Sequence, residues 1–197
     1  QRGSKMSSSR VLRLMASLVT LGCLQLLLGG AMSHAAAPAY PDPGLCQAAP
    51  RTVSDLTILA SQTPPAPSAV SWDDAREATP EEVAEVERTL IEFAACYNAG
   101  ETLRMAALLT DRAITAGMVD LGDLSHPRGA PPTELQMAYI GTLAVYRFAD
   151  GRIGALFAAD IAADATPLDA LYFLLAQQGD RWLIDEIPTA GYVASVQ

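Results

Sequence analysis

Between Leu143 and Ile187 the chain alternates short apolar runs with turn residues, and this pattern predicts strand, tight turn, strand, strand, tight turn, strand. The turn signals are Asp150-Gly151 and Gly179-Asp180, each expected as a two-residue hairpin loop. Counting outward from the second sets Ala176 opposite Leu183 and Leu174 opposite Asp185, so that Asp185 shares a face with Tyr172, Leu174, Leu183 and Ile187. Counting outward from the first sets Val145 opposite Leu156 and Gly141 opposite Asp160, with Leu143, Arg147 and Ala158 on that face. Both faces of such a sheet are largely apolar, which calls for helices over one face and for a partner subunit or an arm over part of the other.

Upstream the period becomes helical. Val83, Val86, Leu90, Phe93, Ala94 and Tyr97 fall on one stripe, and Glu81, Glu85, Arg88 and Glu92 on the opposite face. Thr79 can cap this helix, Pro80 suits its first position, Glu82 completes a capping box, and Gly100 can end it in the left-handed conformation. A second helix over Glu101 to Leu109 presents Met105, Leu108 and Leu109, and a third around Arg112 to Val119 presents Ile114 and Met118. Helices followed by a meander predict an α+β domain over residues 79–190, with N-terminal helices packed on a curved antiparallel sheet.

Two segments precede that domain. Residues 36–78 form a Pro/Ala-rich arm in which Thr63-Pro64-Pro65-Ala66-Pro67 favours an extended linker, while Thr52 to Asp55 can cap a short helix bearing Leu56 and Leu59. Residues 1–35 read as an export signal: Arg10 and Arg13 stand before an apolar run from Leu14 to Met32, and Ser33-His34-Ala35 supplies small residues for cleavage. Met6 is the expected start. The run is also long enough to span a bilayer, so a cleaved signal peptide, an uncleaved anchor and lipidation at Cys23 all stand as alternatives.

Loss of residues 1–35 would remove four of the 13 basic residues and none of the 22 acidic ones, leaving nine Arg and a formal charge of −13. Nucleic acid and anionic membrane surfaces are poor partners for such a chain, and membrane attachment would depend on an uncleaved signal. Two cysteines would remain, Cys46 and Cys96, and an even count in an exported protein predicts a disulfide. The alternatives are a buried apolar Cys96 with a free thiol at Cys46, or a nucleophilic Cys96, for which no histidine motif is present.

The capped helix, the phrase Cys96-Tyr97-Asn98-Ala99-Gly100-Glu101, the segment Leu108-Leu109-Thr110-Asp111, the long hairpin and the closing Gly179-Asp180-Arg181-Trp182-Leu183-Ile184-Asp185-Glu186-Ile187 resemble the nuclear transport factor 2-like superfamily. The likeness spans residues 79–188 and is nearest to exported bacterial members; the Ala-rich, Arg-dominated composition suits a high-GC genome. It implies a cone between helices and sheet, with a pocket lined by Phe93, Tyr97, Leu109, Tyr172 and Leu174. SnoaL-like enzymes of the superfamily place Asp, His, Tyr or Arg inside that cone, where desolvation shifts a carboxylate toward acid–base work. The corresponding candidates are Tyr97, Asp111, Tyr139, Asp160 and Asp185, with Arg147 as an anion partner, yet none sits in a family motif and no catalytic role carries over.

Asp160 and Asp185 are the sharpest pair, because each stands among apolar neighbours; a one-residue slip or a bulge would turn both to solvent. Tyr97 also reads as a core residue, Asp111 as a helix cap, and His126, within Ser125-His126-Pro127-Arg128-Gly129, as a surface residue. There is no phosphate loop, nucleophile elbow, His-Glu-x-x-His or metal-spaced cysteine pair, so no cofactor or metal is expected. The expected function is an exported non-catalytic module that binds a small apolar ligand or a protein and forms a homodimer through its sheet. The alternative is a SnoaL-like lyase or isomerase with Asp160 or Asp185 as base and Tyr97 or Tyr139 as donor. An interior plugged by Phe, Leu and Met favours the module; an open cavity holding a carboxylate favours the enzyme.

Overall fold

The computed structural model describes residues 40–66, 69–117, 129–133, 136–161 and 169–187, all within the unit Ala37–Gln197; side chains at 140, 158–161 and 169–170 are excepted. The export signal, His126 and Met118 lie outside these residues. A 3-10 turn at Pro43–Leu45 is followed by α1 (Val53–Ala60), β1 (Arg76–Glu77), α2 (Pro80–Ala99), α3 (Thr102–Ala106) and α4 (Asp111–Thr115). Strands β2 (Met137–Arg147), β3 (Ile153–Ile161), β4 (Asp169–Gln178) and β5 (Arg181–Glu186) complete the order. All five strands form one antiparallel sheet, β1-β2-β3-β4-β5, so the α+β class stands.

Helix α2 forms between the caps that the sequence marks. The Thr79 hydroxyl accepts from the Glu82 amide, the Glu82 carboxylate accepts from the Thr79 amide at 2.9 Å, and Gly100 closes the helix at φ 71°. Its stripe of Val86, Leu90, Phe93 and Ala94 is buried in one cluster with Val145, Phe157, Phe173 and Ile184 of the sheet. Two polar side chains of α2 reach the sheet's main chain. Thr89 donates to the Trp182 carbonyl at 2.9 Å, and the Asn98 amide both donates to the Met137 carbonyl (2.9 Å) and accepts from the Met137 N–H (2.7 Å).

Helix α3 is shorter than its apolar pattern predicts, because the chain that follows it is used as a strand neighbour. Ile184 N–H bonds the Leu108 carbonyl and Thr110 N–H bonds the Ile184 carbonyl, both at 2.9 Å, in a parallel bridge between Leu109 and Ile184. Thr110 then caps α4, whose last turn ends before Gly117 at φ 69°.

One hairpin keeps its expected loop and the other does not. Gln178 faces Arg181 across Gly179-Asp180, and the positive φ of 64° falls on Gly179 alone, as a type II′ turn requires. The second loop has three residues, Ala149-Asp150-Gly151, closed by bonds from Phe148 N–H to the Arg152 carbonyl (2.9 Å) and from Gly151 N–H to the Phe148 carbonyl (3.0 Å), with Gly151 at φ 89°. Val145 therefore faces Ala155 instead of Leu156, and two further register shifts in β2 set Gly141 against Ala158 and Ala138 against Asp160. In β5 a bulge corrects the other expectation: Leu174 faces Glu186, Leu175 faces Ile184, and Asp185 is the extra residue between them.

The arm lies against the domain and is not a free extended linker over its described length. Cys46 and Cys96 form a disulfide with Cα atoms 4.7 Å apart, which decides between the alternatives for these two residues. Arg51 donates to the Leu109 carbonyl (2.8 Å) and Asp111 (2.6 Å), Arg104 donates to the Ala48 carbonyl (2.7 Å), and Leu56 of α1 is fully buried in the main core. Further along, Val70, Trp72 and Ala75 pack over Phe148, Tyr172 and Leu174 in a second apolar cluster. The sheet's two apolar faces are thus covered by α2 and, in part, by the arm.

Gly154 is where the second cluster demands the absence of a side chain, since a Cβ there would collide with the Tyr172 hydroxyl and lie 2.8 Å from Phe148 Cε2. Gly154→Ala is expected to destabilise the fold by about 1–3 kcal/mol in urea unfolding, with partial recovery in the Gly154→Ala, Tyr172→Phe double variant. No recovery would show that the ring carbons of Tyr172 and Phe148, each 2.8 Å from the added Cβ, and not the hydroxyl, set the limit. The disulfide closes a separation of 50 residues, for which loop-closure entropy predicts about 4 kcal/mol of stabilisation. Comparing denaturant midpoints of the wild type and the Cys46→Ser, Cys96→Ser variant checks this, and a difference under about 1 kcal/mol would mean that non-covalent contacts already hold the arm.

Candidate functional site

Of the carboxylates singled out by sequence, Asp185 has the most elaborate surroundings. In a regular strand neighbouring side chains point to opposite faces, but the β5 bulge lets Asp185 and Glu186 reach the same guanidinium. Arg112 of α4 lies 3.6 Å from Asp185 through Nε and 3.1 Å from Glu186 through a terminal nitrogen. Arg152, just before β3, approaches Asp185 at 3.6 Å and pairs with Asp150 at 2.6 Å. The Thr110 hydroxyl donates to Asp185 at 2.8 Å while accepting from the Ala113 N–H at 3.1 Å, so one hydroxyl both caps α4 and binds the carboxylate. The bulge therefore did not turn Asp185 to solvent: Asp185 and Glu186 are each only 6 % exposed.

Burial pulls the Asp150 carboxyl upward, but hydrogen bonds and charge from Arg152, with Arg147 farther away, outweigh it and hold the group below the ordinary carboxylate range. The arrangement is three carboxylates facing two guanidiniums. Chemically it is an electrostatic clamp: Asp185 accepts from the Thr110 hydroxyl at 2.8 Å and lies at ion-pair distance from both guanidiniums.

The other candidates are dispersed. Asp160 pairs with Ala138 in the sheet, and its side chain lies outside the described residues. Asp111 is exposed at the first position of α4 and pairs with Arg51. Tyr97 is half-buried against the main core. Tyr139 stacks on Phe157 with centroids 5.2 Å apart, and its hydroxyl bonds Glu87 and Thr142, each at 3.2 Å. Burial pushes the Tyr139 phenol above its ordinary value, with the Glu87 carboxylate adding to the shift and Thr142 opposing it. Arg147 is occupied as well: it pairs with Glu82 at 3.1 Å and lies over the Trp182 ring at 4.9 Å.

The five residues expected to line one pocket divide between the two faces of the sheet. Phe93 and Leu109 are buried in the main cluster with Tyr97 against it, whereas Tyr172 and Leu174 belong to the cluster beneath the arm. Between α2 and the sheet, Phe93 meets Phe173 edge-on at 6.3 Å and Phe173 meets Phe157 at 5.7 Å, with Leu90, Met105 and Leu108 buried around them. On the solvent side of α2 a groove of about 510 Å³ is lined by Leu45, Ala84 and Ile91 together with Glu87 and Glu92. Both carboxylates are already bonded, Glu87 to Tyr139 and Glu92 to Arg181 and the Gln47 amide.

Sequence reasoning missed Arg112, Arg152, Thr110 and Glu186. The available signal was the consecutive Asp185-Glu186 in an otherwise apolar final strand, because two adjacent acids in a buried strand require counter-ions. Among the described residues no cluster of His, Cys, Asp and Glu gathers as a metal site, and no helix is long and apolar enough to cross a membrane. Comparison of the chain with protein-family models, with characterised proteins and with solved structures gives no match.

Glu82 ties α2 to the sheet through Arg147 and to β1 through Arg76. Burial raises its carboxyl, but the Thr79 amide and the two arginines outweigh it and hold the group below its ordinary 4.5. A carboxyl lowered in the folded state contributes stability that is present above its unfolded value and is lost as pH falls through the folded one. The wild type is therefore expected to exceed Glu82→Gln in stability at pH 7, with the gap closing as pH falls below 4.5. Urea unfolding across that range checks this; a gap independent of pH would exclude the charged form as its source.

Proposed function

We propose that this chain is an exported, non-catalytic module of the nuclear transport factor 2-like kind, in which the sheet wraps α2 as a cone and the work is done by protein contacts. The observation that carries this reading is the interior itself: Phe93, Phe157 and Phe173 interlock between α2 and the sheet, where an enzyme of that architecture keeps room for a substrate. The charged groups near the sheet support it too. Asp185 is engaged by Arg112 and Arg152 as ion-pair partners and by the Thr110 hydroxyl, so its carboxylate serves contacts within the fold. The Cys46–Cys96 disulfide belongs to an oxidising compartment and agrees with residues 1–35 as an export signal. Leu143 of β2, 62 % exposed, is an apolar point on the sheet at which a second copy would meet it.

Native mass spectrometry of the protein recovered from an oxidising compartment tests the reading. The expected spectrum shows the polypeptide, or its dimer, with one disulfide and no other mass. A stoichiometric small molecule retained through desalting would overturn the filled interior and make the chain a ligand carrier or an enzyme.

A further inference from the structure

The arm is fastened at two separate places. Its first half is tied by the disulfide and by Arg51 and Arg104. Its second half has no covalent tie: Arg112 donates to the Ala66 carbonyl at 2.9 Å and Arg152 to the Ala69 carbonyl at 3.4 Å. These are the same two guanidiniums that Asp185, Glu186 and Asp150 hold from the domain side. The bulge in β5 thus aims two arginines at the main chain of the arm.

Beyond Ala69 the chain lays Trp72 against Phe148, Tyr146 and Tyr172, with ring centroids 5.0, 5.6 and 6.0 Å away. This cluster is distinct from the main core. Among the described residues the segment's own bonds are local, from Asp73 N–H to the Ser71 hydroxyl (3.3 Å) and from Ala75 N–H to the Trp72 carbonyl (3.2 Å), before the two-residue strand β1. Trp72 Nε1 is buried with no hydrogen-bond acceptor among the described residues, a desolvation cost that the segment sheds when it leaves its seat. Segments with few buried contacts and local hydrogen bonds open at lower free energy than the cores they cover.

We propose that Ala69–Ala75 is a strap that opens as a local unit, latched at Ala69 by Arg152 while Arg112 holds the chain just upstream at Ala66, and that its opening uncovers the apolar platform of Phe148, Tyr172 and Leu174 while α2 and the sheet stay folded. The strap gates that face of the sheet whatever the module binds, and it would do so equally in an enzyme, so its test is independent of the proposed function.

Hydrogen exchange read by mass spectrometry on the full chain, disulfide intact, is the experiment. Asp185→Asn with Glu186→Gln removes two of the three charges that aim the latch, and Trp72→Ala empties the seat without touching any ion. In both variants, exchange over residues 69–75 is expected to rise about tenfold or more, while peptides in α2 and in β3 and β4 keep wild-type rates. Equal acceleration throughout would overturn the strap by making the latch part of one cooperative fold. Unchanged exchange at 69–75 would overturn it by showing that other contacts hold the segment. Should the double variant fail to fold, Trp72→Ala alone separates local opening from both of those outcomes.

Discussion

Strand β5 imposes the strictest constraint in the molecule, because all its residues after Arg181 are buried and their polar atoms must be matched inside the protein. The last strand of a meander has one side without a strand partner, and here Leu108 and Thr110 supply main-chain bonds to Ile184 along that side. That closure protects a strand edge. It also explains why α3 stops at Ala106 and why α4 begins only at Asp111: the intervening residues cannot be helical and run beside a strand at once.

The same strand sets the electrostatics. A bulge that places two carboxylates on one side of a buried strand requires cations nearby, and α4 and the residue just before β3 provide one each. Buried ion pairs are weak evidence of stability, since desolvation offsets their attraction, whereas removing one partner leaves a stranded charge. Their role here is therefore better sought in what they orient than in what they add to folding. The two guanidiniums extend the influence of β5 outward to the main chain of the arm.

How far the sequence could be read depended on how local each signal was. The caps of α2 at Thr79, Glu82 and Gly100 are decided within a few residues, and the Gly179-Asp180 turn within four, so these were legible. The disulfide followed from counting cysteines in a chain with an export-like start. The three-residue loop at Asp150 and the bulge at Asp185 were not legible, because Asp-Gly serves both loop lengths and a bulge is fixed by what lies across it. The division of the expected pocket between two clusters was hidden too, because alternation along β4 sets Tyr172 and Leu174 on one face and Phe173 and Leu175 on the other without saying which face α2 covers. The packing of the arm was hidden for another reason: Pro and Ala describe a chain that favours extension, and say nothing of the Trp72 seat or the arginines that hold it.

Asn98 stands in a phrase that reads as a simple end of helix, yet its amide pairs with both hydrogen-bonding groups of Met137, as a neighbouring strand would. The first peptide of β2 is thereby registered by a side chain from outside the sheet. That arrangement makes the site sensitive to chemical ageing. Deamidation of Asn98 would replace the donor facing the Met137 carbonyl with a second acceptor, setting oxygen against oxygen in a place that is 2 % exposed. The helical backbone around Asn98 keeps its amide away from the cyclisation that deamidation needs, so damage would accumulate in molecules that have spent time unfolded. An old preparation would then carry at Asn98, facing the first residue of β2, a record of how often each molecule had opened.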